Sequence, residues 1–219
     1  PTHSREIPLL VSDHCFLRDA RDEDLLTCFV GRLYPSRALV SIPCDAKCSD
    51  PYTIGRLAQF LRDCGVSRLV HMSDQETSLG AMIQSAMEEL SGSTTWVGGV
   101  RERSAVGESQ SNGKAEAAVQ CVEDQIRVMK AALESRLSAR IPSQHPVMRW
   151  LVEYASVILN KYHVQPTGRT AYHDLHGKKV SERLVEFGEV VLHYIPKKRR
   201  HKLDCRWAMG IFLGTAMFS

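Results

Sequence analysis

The sequence has no apolar run that approaches the roughly 18 residues required by a membrane-spanning helix. We therefore expect no membrane partner. Its seven cysteines are an odd number, too few in 219 residues for a disulfide-stapled scaffold, and no signal peptide is visible. These absences favour a reducing compartment over secretion. With 43% hydrophobic and 24% charged residues, the chain also falls outside the disordered and collagen-like classes.

Charge is distributed unevenly along the chain. Residues 1–160 hold 17 Lys and Arg against 20 Asp and Glu, a net of −3, whereas residues 161–219 hold 11 against 5, a net of +6. A catalytic body with an anion-binding appendage has this asymmetry, and a solvated basic tail explains it equally well. The chain begins at Pro1 and stops at Ser219 just past an apolar stretch, so we interpret it as a segment cut from something longer.

Hydrophobic periodicity predicts a mixed α/β fold. Period-two alternation over residues 7–17 predicts a strand buried on both faces, and residues 25–32 and 37–44 predict a hairpin that follows it. Further strands are predicted at 68–72 and in the glycine-marked segment 95–100. Helical spacing predicts a helix from Pro51 to Gly65, a second opened by Ser73 or Asp74, a long third after a polar loop from Gly98 to Gly113, and a fourth around Trp150. This order predicts a mixed sheet with helices on its faces.

The last quarter of the chain differs in composition. Residues 164–186 are polar with Gly and Lys, which indicates a linker between a body at 1–163 and a small module at 187–219. Strand-like segments in that module predict a β-rich unit, in our interpretation a small barrel. They flank a basic run composed of Lys197, Lys198, Arg199, Arg200 and Lys202. This run suits phosphate neutralisation without sequence reading, and a nuclear-targeting signal or a solvated surface explains it equally well.

Three carboxylates occupy informative positions. Asp13 shares a strand face with apolar Cys15, so it needs a partner or its pKa must rise. Asp74 follows a parallel-type strand, where sheet-based sites open, although a helix N-cap is the favoured interpretation for the residue alone. Glu116 extends the apolar stripe of the long helix back from Val119, which predicts a glutamate facing the core. A first-turn acid that stabilises the helix dipole is the alternative.

These three acids are able to converge at one edge of one sheet. Carboxylates so placed repel each other unless a cation compensates them. Oxygen-only ligands favour Mg²⁺ or Mn²⁺ over zinc. The sequence therefore predicts a divalent-metal site built from Asp13, Asp74 and Glu116.

Short motifs follow one another over nearly the whole chain. They are Val11-Ser-Asp-His-Cys-Phe16, His71-Met-Ser-Asp-Gln-Glu76, Ser109-Gln-Ser-Asn-Gly-Lys-Ala-Glu116, Val119-Gln-Cys-Val-Glu-Asp-Gln-Ile-Arg-Val-Met-Lys130, His145-Pro-Val, Trp150-Leu-Val-Glu-Tyr154, Phe187-Gly-Glu-Val190 and Trp207-Ala-Met-Gly-Ile-Phe-Leu-Gly214. In this order they resemble the integrase of copia-type retrotransposons. The resemblance implies a ribonuclease H-like core whose Asp, Asp, Glu metal triad falls on Asp13, Asp74 and Glu116.

The resemblance also implies an activity and its partners. It implies a metal-dependent polynucleotidyl transferase and endonuclease that trims the 3′ ends of element DNA and joins them to target DNA. Two Mg²⁺ or Mn²⁺ ions about 3.5–4 Å apart would be bridged by Asp13 and completed by Asp74 and Glu116. The partners would be double-stranded DNA (element ends and target) and further copies of the chain, in a cytoplasmic particle first and in the nucleus at the site of action.

Polar residues just before Glu116 are candidate contacts to the DNA backbone, and an ordinary surface loop explains them equally well. These residues are Ser109, Gln110, Ser111, Asn112 and Lys114. Ala117 stands where the family commonly has a basic residue. The 41 residues between Asp74 and Glu116 form a longer gap than in retroviral integrases, which predicts a longer loop.

Two other functions stay open at this point. A related nuclease or DNA transposase of the same fold would share the triad, since one fold hosts several activities. A non-catalytic remnant of an element would keep the fold and bind DNA without chemistry.

Overall fold

A computed structural model of the chain describes residues 7–45, 50–73, 76–103 and 109–215. Its elements, in chain order, are β1 (Leu9–Leu17), β2 (Leu26–Tyr34), β3 (Ala38–Cys44), α1 (Pro51–Asp63), β4 (Arg68–Ser73), α2 (Thr77–Ser91), β5 (Gly98–Arg103), α3 (Ser109–Leu137), α4 (Pro146–Tyr162), α5 (Ala171–His176), β6 (Val190–Tyr194) and β7 (Trp207–Ile211), with a 3-10 turn at Lys197–Arg199.

Five strands form a mixed sheet in the order β3-β2-β1-β4-β5. The first three strands are antiparallel neighbours, and β1 pairs with β2 along its whole length, from Leu9 beside Tyr34 to Leu17 beside Leu26. β4 runs parallel to β1, and β5 runs parallel to β4. Helices cover both faces, as the order of elements in the sequence predicts. This is a ribonuclease H-like arrangement.

Two apolar cores lie on opposite faces of the sheet. One packs Leu10 and Phe29 against α1 and α2, and the other packs Cys28 and Val30 against α3 and α4. Burying one large apolar side chain contributes roughly 1.5–3 kcal/mol, so each face holds its helices through many such contacts. Because side chains alternate along a strand, successive residues of β1 belong to different cores.

Local sequence signals set the ends of the helices. Asp50 caps α1 by accepting the backbone N–H of Thr53 at 2.8 Å, and Pro51 occupies the first turn, where its missing N–H costs nothing. Gly65, at φ +67°, follows the end of that helix. Ser138 leaves the right-handed region at φ +50°, directly after the end of α3 at Leu137.

The end of the chain forms a two-stranded antiparallel sheet of β6 and β7. Over the described residues this is a single β pair and not the barrel that the sequence suggested. Its base packs on α4, where the Tyr154 ring lies between those of Phe187 and Phe212, at centroid distances of 6.0 and 5.6 Å. Residues 164–186 contain the short helix α5, whose Ala171 is buried in the core beside α1 and α2. The domain boundaries themselves stay a prediction.

No helix in the described part of the chain is long and apolar enough to cross a membrane. The six cysteines within the described residues are free thiols. Cys48 lies outside those residues.

A network of charged groups fastens the β1–β2 connection to the end of α3. Asp22 accepts the backbone N–H of Ser143 at 2.8 Å and pairs with Arg140. Beside it, Lys130 bridges Asp19 and Glu134 at 3.3 and 2.7 Å. The N–H of Ser143, followed by Arg140, lowers the pKa of Asp22 to about 2. The ionised carboxylate is therefore favoured in the folded state.

Asp22 should make the folded protein sensitive to acid. A carboxylate whose pKa is lowered on folding contributes stability above its unfolded pKa of about 4 and loses it as the pH falls towards the folded value. The pKa of about 2 places that loss between about pH 4 and pH 2. Urea unfolding over this range should show a smaller acid dependence for Asp22→Asn than for the wild type. Asp24→Asn, at a neighbouring exposed position, is the control, and equal slopes for wild type and Asp22→Asn would contradict the assignment.

Candidate active site

Asp13 lies on β1 and faces α3. The next residue but one, Cys15, belongs to the core beneath α3 and α4, and strand alternation puts Asp13 on the same face. Its side chain is half-buried, and its Oδ1 accepts the backbone N–H of His14 at 2.7 Å. A hydrogen bond of this kind stabilises the ionised carboxylate. The orientation predicted from the sequence therefore holds.

Glu116 is exposed, and the prediction that it faces the core is wrong. The buried stripe of α3 consists of Ala115, Ala118, Val122, Ile126 and Leu133. Val119, from which the stripe was extended, is only partly buried. The true stripe is centred one residue earlier, on alanines whose small side chains had little weight in the hydrophobic pattern. Glu116 therefore projects to solvent near the start of a long helix that packs on β1.

Asp74 lies outside the described residues, and the prediction that Ser73 or Asp74 opens the following helix is wrong. Helix α2 begins at Thr77, and its N-cap is Glu76. β4 ends at Ser73. Because β1 and β4 are parallel, with Val11 beside Met72, the carboxyl end of β4 and the Asp13 end of β1 lie at the same edge of the sheet.

Several buried polar side chains lie on the face of the sheet opposite Asp13, and sequence reasoning missed them. The Ser12 hydroxyl lies 2.8 Å from His71 Nε2, and His14 Nδ1 lies 3.2 Å from Glu76 Oε2. Ser12, His14 and His71 are all buried. The available signal was the even-numbered face of β1, where two polar residues interrupt an otherwise apolar set.

The segment before Glu116 is more regular than predicted. β5 occupies Gly98–Arg103, and α3 already begins at Ser109, so the predicted loop up to Gly113 is wrong at both ends. Helix α3 therefore includes the candidate contacts Ser109, Gln110, Ser111 and Asn112, whose side chains lie outside those described. Lys114 is exposed, and its Nζ lies 5.5 Å from the centre of the Tyr34 ring.

The basic run lies in the connection between β6 and β7. Lys197, Lys198 and Arg199 form the 3-10 turn and are exposed, as is Lys202. Arg200 differs because its guanidinium group bonds the Ile195 carbonyl oxygen at 3.2 Å and the Tyr194 hydroxyl at 3.3 Å. It therefore helps to hold the connection in place.

The cysteines near the core are poor nucleophiles. Burial raises the pKa of the thiols of Cys44, Cys64 and Cys121. A protonated thiol neither attacks nor ligates a metal well.

The donor atoms of the candidate site are carboxylate oxygens. Asp13 is half-buried and Glu116 is exposed, and this donor chemistry fits Mg²⁺ or Mn²⁺. Within the described residues, no three or more His, Cys, Asp and Glu side chains are grouped to hold a metal ion. The predicted triad includes Asp74, which lies outside that set.

Neither a protein-family model nor a curated protein matches the sequence. Solved structures do match the fold. The HTLV-2 integrase catalytic core domain, in a trimeric form in complex with magnesium, aligns over 77% of this chain and 95% of its own, at 14% identity and a TM-score of 0.51. The catalytic core domain of BIV integrase aligns over 76% of this chain and 92% of its own, at 15% identity and a TM-score of 0.50.

A larger assembly also matches. A chain of the simian T-cell lymphotropic virus intasome aligns over 93% of this chain and 66% of its own, at 13% identity and a TM-score of 0.53. This chain has the fold of a retroviral integrase catalytic core. At these identities, the likeness establishes the fold alone.

The corrected register of α3 has a direct test. Glu116→Gln should change the free energy of unfolding by less than about 0.5 kcal/mol, because exposed positions tolerate substitution. Ala118→Leu, two residues on, should destabilise by about 1–3 kcal/mol, because it overpacks the buried face of the helix. Urea unfolding measures both variants. A core-facing Glu116 would reverse the order of the two effects.

Proposed function

We propose that this chain is the catalytic region of a copia-type retrotransposon integrase, which processes DNA 3′ ends and joins them to target DNA. The observation that carries the proposal is the placement of two acids on an integrase-type fold. Asp13 lies on the central strand β1, and Glu116 lies near the start of α3, which packs on the same face of the sheet. The copia-like motifs around both acids support the assignment.

Asp13, Asp74 and Glu116 would hold the divalent metal, in our proposal two Mg²⁺ or Mn²⁺ ions. Bound metal would supply activation of the attacking oxygen and stabilisation of the leaving oxygen during phosphodiester transfer. Glu116 is open to solvent, and the N–H of His14 holds one oxygen of Asp13 in place. Water and then a DNA 3′ hydroxyl would be the nucleophiles, so the chain needs no nucleophilic side chain.

Double-stranded DNA is the proposed substrate, and several copies of the chain would act together on it. Lys114, the polar residues at the start of α3 and the exposed cations of the basic run would contact phosphates. We place the activity in the nucleus, after transport in a cytoplasmic particle.

The decisive experiment offers a labelled DNA duplex to the purified chain with Mg²⁺, Mn²⁺ or EDTA. An integrase cuts near the 3′ end and joins the product to a second duplex, each step dependent on metal. A nuclease of the same fold cuts without joining. A non-catalytic remnant binds the duplex and does neither.

The three acids should be essential for chemistry and dispensable for folding. Asp13→Asn, Asp74→Asn and Glu116→Gln should each abolish cutting and joining, because an amide is a weak ligand for a hard cation. Circular dichroism confirms that each variant is folded. Glu123→Gln, about two turns further along α3, is the matched control and should keep activity. Substantial activity in any one triad variant removes that residue from the site.

The exposed cations of the 3-10 turn should bind phosphates without reading sequence. Replacing Lys197, Lys198 and Arg199 with Ala should weaken binding to every duplex alike and reduce the salt slope by about 0.9 for each phosphate that is no longer neutralised. Fluorescence anisotropy across a salt series measures this slope. The charge-matched control replaces the exposed Lys178, Lys179 and Arg183. Equal slopes for the two triple variants would show that net charge, and not this turn, accounts for DNA binding.

A further inference from the structure

The described pairing between β1 and β4 ends before the position of Asp13. Parallel pairing of β1 with β4 extends only from Leu9 beside Val70 to Val11 beside Met72. Beyond that point β1 continues through Asp13 to Leu17 with β2 alone as its partner in the described sheet. Among the described residues, no backbone pairing therefore joins the Asp13 end of β1 to the start of α2 at Glu76.

A side-chain contact joins the Asp13 end of β1 to the start of α2. The ring of His14 is almost fully buried, with 3% of its side chain exposed, and its Nδ1 lies 3.2 Å from Oε2 of Glu76. Glu76 is the N-cap of α2, and its other oxygen accepts the Ser78 hydroxyl at 3.0 Å. The carboxylate thus belongs to the start of the helix and reaches back to the strand. We call this contact the His14–Glu76 link.

His14 acts on both faces of the sheet. Its ring lies on the face of α2, while its backbone N–H holds Asp13 Oδ1 on the opposite side at 2.7 Å. Two residues earlier, the buried Ser12 and His71 make a second polar contact between β1 and β4, at 2.8 Å. Hydrogen-bonding side chains therefore connect β1 to β4 and to α2 at this edge of the sheet. An apolar pair would fill the same space but would not fix the direction of either side chain.

We propose that His14 is a positioning residue, which sets the spacing between Asp13 and the start of α2 through the His14–Glu76 link. Hydrogen bonds are directional, so the link defines one relative placement of strand and helix. This inference rests on the proposed function, because Asp13, which the backbone of His14 holds, is one of the proposed metal ligands. Groups that orient ligating carboxylates typically change metal affinity or activity by about 10–100-fold when they are removed.

The experiment compares three variants of the full chain with the wild type. His14→Leu removes the link and keeps an apolar side chain in the buried position. His14→Asn retains an amide N–H near the place of Nδ1, and Glu76→Gln keeps the shape of the partner without its charge. Two quantities are measured: the Mn²⁺ concentration at half-maximal cutting of the duplex, and the Mn²⁺ concentration that half-saturates the rise in melting temperature without DNA.

His14→Leu should raise both Mn²⁺ concentrations by about tenfold, at the lower end of the usual effect of such groups. Saturating Mn²⁺ should restore most of kcat, and KM for DNA should stay unchanged. His14→Asn should recover much of the metal affinity. The matched control is Glu89→Gln, the same chemical change in the same helix, which breaks an exposed pair with Arg62 and should alter neither quantity.

The outcomes separate this inference from the proposed function. A merely structural role for His14 lowers the melting temperature in EDTA and leaves both Mn²⁺ midpoints unchanged, which overturns the positioning role. If His14→Leu does not fold, an unchanged midpoint in folded Glu76→Gln overturns it equally. A wild type that binds Mn²⁺ but neither cuts nor joins DNA contradicts the proposed function, whereas an active wild type with unaffected variants contradicts the positioning role alone.

Discussion

The burial of β1 on both faces is the constraint on which the rest of the structure depends. The strand is central, with β2 on one side and β4 on the other, and each residue must suit the helix layer that it meets. A slip of one residue in its pairing would exchange the two faces, burying Asp13 under α2 and directing His14 towards α3. The nine-residue ladder with β2, together with the apolar residues of both faces, prevents that slip.

A side chain of α4 hydrogen-bonds to the backbone of β3, the strand at one edge of the sheet. Asn160 of α4 accepts the backbone N–H of Leu39 at 2.7 Å and donates to its carbonyl oxygen at 2.6 Å, so it pairs with edge strand β3 as another strand would. The same helix carries Tyr154, against which the β6–β7 pair packs. Helix α4 thereby fixes both the edge of the sheet and the position of the basic end of the chain.

Much of this fold could be predicted from the sequence, because strands and amphipathic helices have different periods. The alternation in β1 predicted both its burial and the direction of Asp13. The errors arose where periodicity gives little signal. Alanines 115 and 118 mark the buried face of α3 only weakly, so the stripe was centred on Val119 and Glu116 was assigned to the core. The His14–Glu76 contact joins residues 62 positions apart, and only the fold brings them together.

The corrected position of Glu116 suits the proposed metal site better than the predicted one. A glutamate facing an apolar core loses hydration, which raises its pKa and favours the neutral acid, a weak ligand for a hard cation. An exposed glutamate keeps its hydration until it meets a cation, and α3 supplies the rigidity that a loop would lack. Asp13 is the more buried of the two acids, and it is the one that accepts a backbone N–H. The structure thus provides a hydrogen bond to Asp13, the carboxylate that loses more hydration. It leaves Glu116 open to solvent.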